Sequence, residues 1–165
     1  MRYDVTCKQA GLSALFDLKG PQADLWGWAG DHLPPMPARP NSLTRRGERS
    51  RYHIGPRHLL LRTGIAEEEA LERALGPAAA PPQISIVRIS DTLTFFAVTG
   101  RDADQVMAIA CPLDLHPAVF GADAVSHTEA FGLKAMVLRC EGGFECAVEQ
   151  SHGDMMQDYL NRALT

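Results

Sequence analysis

With 165 residues, 45% of them hydrophobic and 22% charged, the chain has the size and make-up of one globular domain with a real core. Its net charge of −4 gives no pull toward nucleic acid, and it has no apolar run of about 18 residues to span a membrane. The start, Met1-Arg2-Tyr3-Asp4, lacks the apolar stretch of a leader, so the expected compartment is the cytoplasm.

In chain order, the first expected strand is Ala14 to Leu18. Residues 20–41 then carry Pro21, Pro34, Pro35, Pro37 and Pro40, and repeated proline removes backbone donors and blocks helix. An ordered, extended arm is expected there, setting residues 1–41 (a strand and a Pro-rich arm) apart from a single domain over 42–165. Trp26 and Trp28 lie in this arm, and large aromatics need cover. Two covers stay open: the core of this chain or a second subunit. Strands are expected at Ser42 to Arg46, Ser50 to Ile54 and His58 to Arg62, with Gly55-Pro56 turning between the last two. Ala66 to Leu75 reads as a helix with an acidic first turn, stopped by Gly76-Pro77.

Ile84 to Ile89 and Thr92 to Val98 read as strands joined by a tight turn near Ser90-Asp91. Asp102 opens a helix to Ala110, and Gln105 stands at capping-box spacing from it. Strands follow at Val125 to Ala130, Leu133 to Cys140 and Phe144 to Gln150. Ser151 opens a last helix whose Met155, Met156, Tyr159, Leu160, Ala163 and Leu164 form an apolar stripe. In the last hairpin, a three-residue loop would set Glu141 against Glu145 and Cys140 against Cys146. Leu71-Glu72-Arg73-Ala74-Leu75 and Leu160-Asn161-Arg162-Ala163-Leu164 echo each other, each in a helix after a strand. The echo suggests two related strand–helix halves packed as an α+β sandwich, although five helix-forming residues also match by chance.

The chemistry-bearing motifs are sparse. No Gly-x-Gly-x-x-Gly follows a strand, and no Gly-Lys-Ser/Thr is present, so a Rossmann or P-loop nucleotide site is not expected. Cys7, Cys111, Cys140 and Cys146 include no Cys-x-x-Cys pair, and a reducing compartment keeps them as thiols. Cys111, Asp114 and His116, with His127 further on, have the donor types of a zinc site or of a thiol nucleophile and base. Pro112 and Pro117 give the competing account: a rigid turn in which Asp114 caps backbone and His116 is a structural or interface residue. The seven arginines Arg39, Arg45, Arg46, Arg49, Arg51, Arg57 and Arg62 face a single nearby acid, Glu48. They read either as the solvated face of two strands or as a docking surface for an acidic partner.

Two stretches carry a family resemblance. Tyr52-His53-Ile54-Gly55-Pro56-Arg57-His58-Leu59-Leu60-Leu61 is one. The other runs from Val98-Thr99-Gly100 through Asp114-Leu115-His116-Pro117 and Phe120 to the last helix. In this order they resemble the gamma subunit of heterotetrameric sarcosine oxidase over residues 40–165. The resemblance implies an α+β fold, with mixed or antiparallel sheets and about three helices, related to the folate-binding domain of the glycine-cleavage T-protein. It also implies an accessory, non-catalytic subunit in a complex that demethylates sarcosine to glycine, with oxygen as acceptor and tetrahydrofolate taking the one-carbon unit. FAD, FMN, NAD, folate and zinc would then sit on the alpha, beta and delta partners, with alpha the direct neighbour. No catalytic, cofactor or metal residue is implied here, and the expected interface is Arg45, Arg46, Arg49, Arg51, Asp114, His116 and Phe120. The alternatives are a stand-alone module binding a folate-like or other anionic small molecule, and a small metal or thiol enzyme around Cys111 and His116.

Overall fold

The computed structural model describes residues 3–164; Met1, Arg2 and Thr165 lie outside them, and the reading of Met1-Arg2 as a leaderless start falls there. In chain order the strands are β1 (Thr6–Gln9), β2 (Ser13–Lys19), β3 (Ser42–Arg46), β4 (Arg49–Gly55), β5 (His58–Gly64), β6 (Ser85–Arg88), β7 (Leu93–Thr99), β8 (Val125–Ala130), β9 (Leu133–Cys140) and β10 (Gly143–Glu149). The helices are α1 (Gln22–Ala29), α2 (Glu68–Leu75), α3 (Ala103–Ala110) and α4 (Gly153–Ala163). The fold is α+β with two five-stranded antiparallel sheets, ordered β3-β4-β5-β2-β6 and β1-β7-β10-β9-β8.

The chain divides into two compact units: Leu12–Asp91, and the residues up to Gly11 together with those from Thr92 onward. The division does not fall at residue 41, since residues 42–91 belong with 12–41 and β1 belongs with the C-terminal half. In the Leu12–Asp91 unit, Ala14, Phe16 and Leu18 of β2 and Leu59 and Leu61 of β5 pack with Leu25, Ala29, Leu71 and Leu75 of the helices. In the other unit, Phe96, Val98, Phe144, Cys146 and Val148 pack with Val106, Met107, Met156 and Leu160. Leu15, Leu60, Met136, Leu138 and Ala147 are also buried, on the opposite faces of their strands. The central strands therefore read as near-continuous apolar runs.

Both units repeat one plan: strand, helix, an edge strand, two central strands, a helix, and a fifth strand beside the first. The details match. Phe16 stands between Leu61 and Arg88 as Phe96 stands between Cys146 and Gln9. The N–H of Gly20 donates to Arg57 O at 2.9 Å, and that of Gly100 to Gly142 O at 3.0 Å. Gly20 (φ 141) and Gly100 (φ 138) each end the first strand. A Cβ there would lie 2.8 Å from Gln83 O and 2.3 Å from Asp4 O respectively, so the close backbone approach before the fifth strand requires glycine twice.

Four readings from the sequence are corrected. Residues 20–41 are not extended throughout: α1 occupies Gln22–Ala29, followed by a 3-10 turn over Gly30–His32. Pro21 stands at the start of α1, where no N–H is needed, and the other four prolines come after the helix has ended. This is the helix beyond the expected three. Second, Ser90-Asp91 does not close a hairpin, because β6 pairs with β2 whereas β7 pairs with β1 and β10. The Ser90 hydroxyl instead accepts the Leu15 N–H at 3.0 Å.

Third, the last hairpin turns through Glu141-Gly142, which sets Cys140 against Gly143 and Cys146 against Val137. The two-residue turn became available because Gly142 takes φ 74. Fourth, the Asp102 side chain makes no bond to an N–H of its own helix. It accepts the Asp4 N–H at 2.8 Å and Gln105 Nε2 at 3.2 Å, tying the N-terminal segment to α3. No helix among the described residues is long and apolar enough to cross a membrane.

Candidate functional site

β4 carries the most unusual side chain of the molecule. Strand alternation sends Arg51 to the same face as its neighbour Leu61 on β5, which is the helix-covered face of that sheet. The arginine is 2% exposed, and its Nε and Nη2 have no hydrogen-bond partner. Burial, with Arg46 nearby as the second cause, pulls its pKa down to about 10. The guanidinium carbon lies 5.8 Å from the centre of the Trp26 ring. Beside it opens a cavity of about 270 Å³, lined by Gln22, Ala23, Trp26, Met36, Arg51 and Leu59. His53, two residues along the same face of β4, is also buried and its Nδ1 is likewise unpartnered.

The two tryptophans serve the Leu12–Asp91 unit. Trp28 Nε1 donates to Leu75 O at 2.7 Å, satisfying one of the carbonyls left open at the end of α2. Trp26 lies against Arg51 with half of its surface open. The proposed row of arginines is split. Arg45 and Arg46 are exposed on β3, the latter donating to Asp31 O at 2.6 Å. Arg49 pairs with Glu67 at 3.1 Å and also donates to His32 O, so an acid 18 residues away answers it. Arg51 is inside, which removes it from any solvated face.

The 111–120 loop is built as a turn. Asp114 Oδ1 accepts the His116 N–H at 2.9 Å, and His116 Nδ1 accepts the Ala118 N–H at 3.2 Å. Arg139 of β9 holds the loop from inside, its Nε donating to Phe120 O at 2.6 Å and its Nη2 to Leu115 O. The Arg139 guanidinium also covers the Phe144 ring at 4.5 Å. Asp114 and His116 are exposed, whereas Phe120 is buried in the core beside Phe144, 6.4 Å away, and is not a surface residue. Cys111 is buried, with its sulfur 3.8 Å from Thr128 Oγ1. Among the described residues no three His, Cys, Asp or Glu side chains come together as metal ligands. Asp114 Oδ1 and His116 Nδ1 are engaged by backbone N–H groups, and the Cys111 sulfur lies against Thr128 rather than either of them.

Sequence reasoning placed Arg51 within a basic segment but missed its burial. The available signal was alternation: in Arg51-Tyr52-His53, either parity puts a polar or aromatic residue inside a strand whose partner strand is Leu59-Leu60-Leu61.

No protein-family model matches the chain, and no curated protein matches it. Solved structures do. A chain of the heterotetrameric sarcosine oxidase from Corynebacterium sp. U-96 superposes with a TM-score of 0.81 at 22% identity, over 97% of this chain and 83% of that one. The glycine cleavage system aminomethyltransferase T from Bartonella henselae gives 0.65 at 14% identity; this chain spans 46% of its length. The regulatory subunit of aspartate kinase from Thermus thermophilus gives 0.52 at 10% identity, over 98% and 99% of the two chains. The fold is therefore that of the sarcosine oxidase chain and of part of the T-protein, as the two sequence stretches implied.

Proposed function

We propose that this chain is an accessory, non-catalytic subunit of the gamma type in a heterotetrameric sarcosine oxidase. The observation supporting this is the span of the likeness. Nearly the whole chain superposes on most of one chain of such an enzyme, whereas it corresponds to less than half of the glycine cleavage system aminomethyltransferase. In this reading the complex demethylates sarcosine to glycine, with tetrahydrofolate taking the one-carbon unit. FAD, FMN, NAD, folate and zinc are held by alpha, beta and delta partners in the cytoplasm, and alpha is the chain in contact. The subunit contributes assembly and stability. Exposed Arg45, Arg46, Asp114 and His116 are the proposed contact residues, joined by Val119 and Ile109, which leave more than half of their apolar surface uncovered.

The test is a pull-down of the tagged chain from its native cells grown on sarcosine, with the eluate scanned for flavin absorbance. A yellow eluate containing larger chains is expected. A colourless eluate holding this chain alone overturns the reading, as does active sarcosine oxidase from cells lacking this gene.

A further inference from the structure

We propose that the cavity beside Arg51 is a binding site for a small organic monocarboxylate with a compact apolar body. The site lies within the Leu12–Asp91 unit and does not depend on the accessory-subunit reading.

The anchor is the charge itself. A buried guanidinium with open donors is costly, and proteins retain such groups where a counter-anion completes them. The two unpartnered donors are Nε and Nη2, which share one edge of the guanidinium and are sealed from solvent, so binding requires a side chain lining the cavity to move aside. That edge presents two parallel N–H bonds, the spacing that a carboxylate accepts with both oxygens. The same position in the other unit is Val137, which faces Cys146 as Arg51 faces Leu61 and is fully buried. An apolar side chain therefore satisfies this place in the fold, and the arginine is not demanded by packing.

The walls define the rest of the ligand. Trp26, Met36, Leu59 and Ala23 offer apolar surface, with Gln22 and the Trp26 indole N–H as further polar groups among the described lining residues. At about 270 Å³ the space suits a ligand smaller than a typical drug or nucleotide. None of the lining residues is acidic, and Arg46 adds positive charge nearby, so an ammonium group on the ligand would be repelled. The site thus selects simple carboxylates over zwitterionic amino acids such as glycine or sarcosine. It also separates this site from whatever amine chemistry a partner performs.

The test is calorimetric titration of the full chain with benzoate, propionate, glycine and inorganic phosphate. Benzoate and propionate are expected to saturate one site with Kd on the order of 0.1–10 mM, as fits so few contacting atoms. Arg51→Lys, which keeps the charge but loses the planar fork, should weaken benzoate at least ~10-fold. Arg51→Met should abolish it, with circular dichroism confirming the fold. Ala23→Trp leaves Arg51 in place, fills the cavity from exposed helix surface, and should also abolish it. The proposal is overturned by no saturable heat with either carboxylate, by unchanged affinity in Arg51→Met, or by glycine or phosphate binding as tightly as benzoate. Thermal stabilisation of the chain by a partner protein but not by free carboxylates would assign the arginine to a partner's acidic side chain and overturn it equally. A yellow or colourless pull-down eluate leaves these outcomes unaffected, so the two readings fail separately.

Discussion

Arg51 and Cys146 share the core faces of their sheets, and burial acts on them in opposite senses. Burial of an unpaired arginine disfavours its charged form, and with no ligand present the charge is a net cost to the fold. Arg51→Met, similar in length and apolar as Val137 is in the corresponding place, should stabilise the ligand-free chain by about 1–3 kcal/mol in urea titration; a lower midpoint would show that the guanidinium is compensated. Burial, and then the neighbouring Cys111, pushes the Cys146 thiol from 9.0 up to about 12. Its pKa is raised in the folded state, so its contribution is complete below pH 9.0 and is lost as pH climbs from there toward about 12, where the unfolded chain releases the proton first. Stability should therefore fall across that alkaline window in the native chain, and the part due to Cys146 should vanish in Cys146→Ala. A slope of equal size in both proteins would assign the loss to other groups.

At the scale of elements, strand positions were legible wherever apolar residues ran unbroken between turn signals, as at Leu59-Leu60-Leu61. Pairing was less legible, because it depends on turn geometry rather than on the strand's own residues. The Glu141-Gly142 turn is the clear case: one residue fewer in the loop moved Cys140 to the end of the hairpin. Cys146 faces Val137, three residues short of Cys140, a separation of about 10 Å along a strand. A disulfide needs its Cα atoms within about 7 Å, and an odd offset also turns the two sulfurs to opposite faces. Mild oxidation with diamide followed by non-reducing peptide mapping should therefore find no Cys140–Cys146 link, and finding one would restore the three-residue loop. The sequence echo between α2 and α4 is similarly instructive. The two units do repeat one plan, yet Leu71 and Leu75 occupy the places of Met156 and Leu160, with Leu160 and Leu164 one turn further on. The matching letters reflect helix-forming composition, and the repeated plan shows only in the backbone pairing. The burial of Arg51 was hidden for a related reason: charge marks surface in composition, and only the register of β4 on β5 puts it inside.

For the whole molecule, the consequential step is the exchange of ends. The Leu12–Asp91 unit supplies its own fifth strand, β6, whereas the C-terminal unit takes its fifth strand, β1, from the far end of the chain. Composition and periodicity cannot show this, because the four residues of β1 become part of that sheet only through partners 87 to 93 residues away. The join is made by the pairing of Thr6 with Thr99 through Gln9 with Phe96, by the Asp4 N–H on Asp102, and by the bare Cα of Gly100 beneath Asp4. Each part has its own expected cost. Asp102→Ala removes the bonds from the Asp4 N–H and Gln105 Nε2 near the surface and should cost about 1–2 kcal/mol. Gly100→Ala forces a methyl to within 2.3 Å of the Asp4 carbonyl at a φ that L residues avoid, and should cost about 3 kcal/mol or more. Because both act by loosening β1, hydrogen exchange should report them in the same place, as lost protection along β7, with the larger loss in Gly100→Ala. Full protection of β7 in Gly100→Ala would mean that the N-terminal strand does not depend on this contact, and the C-terminal sheet would have to be stable with four strands.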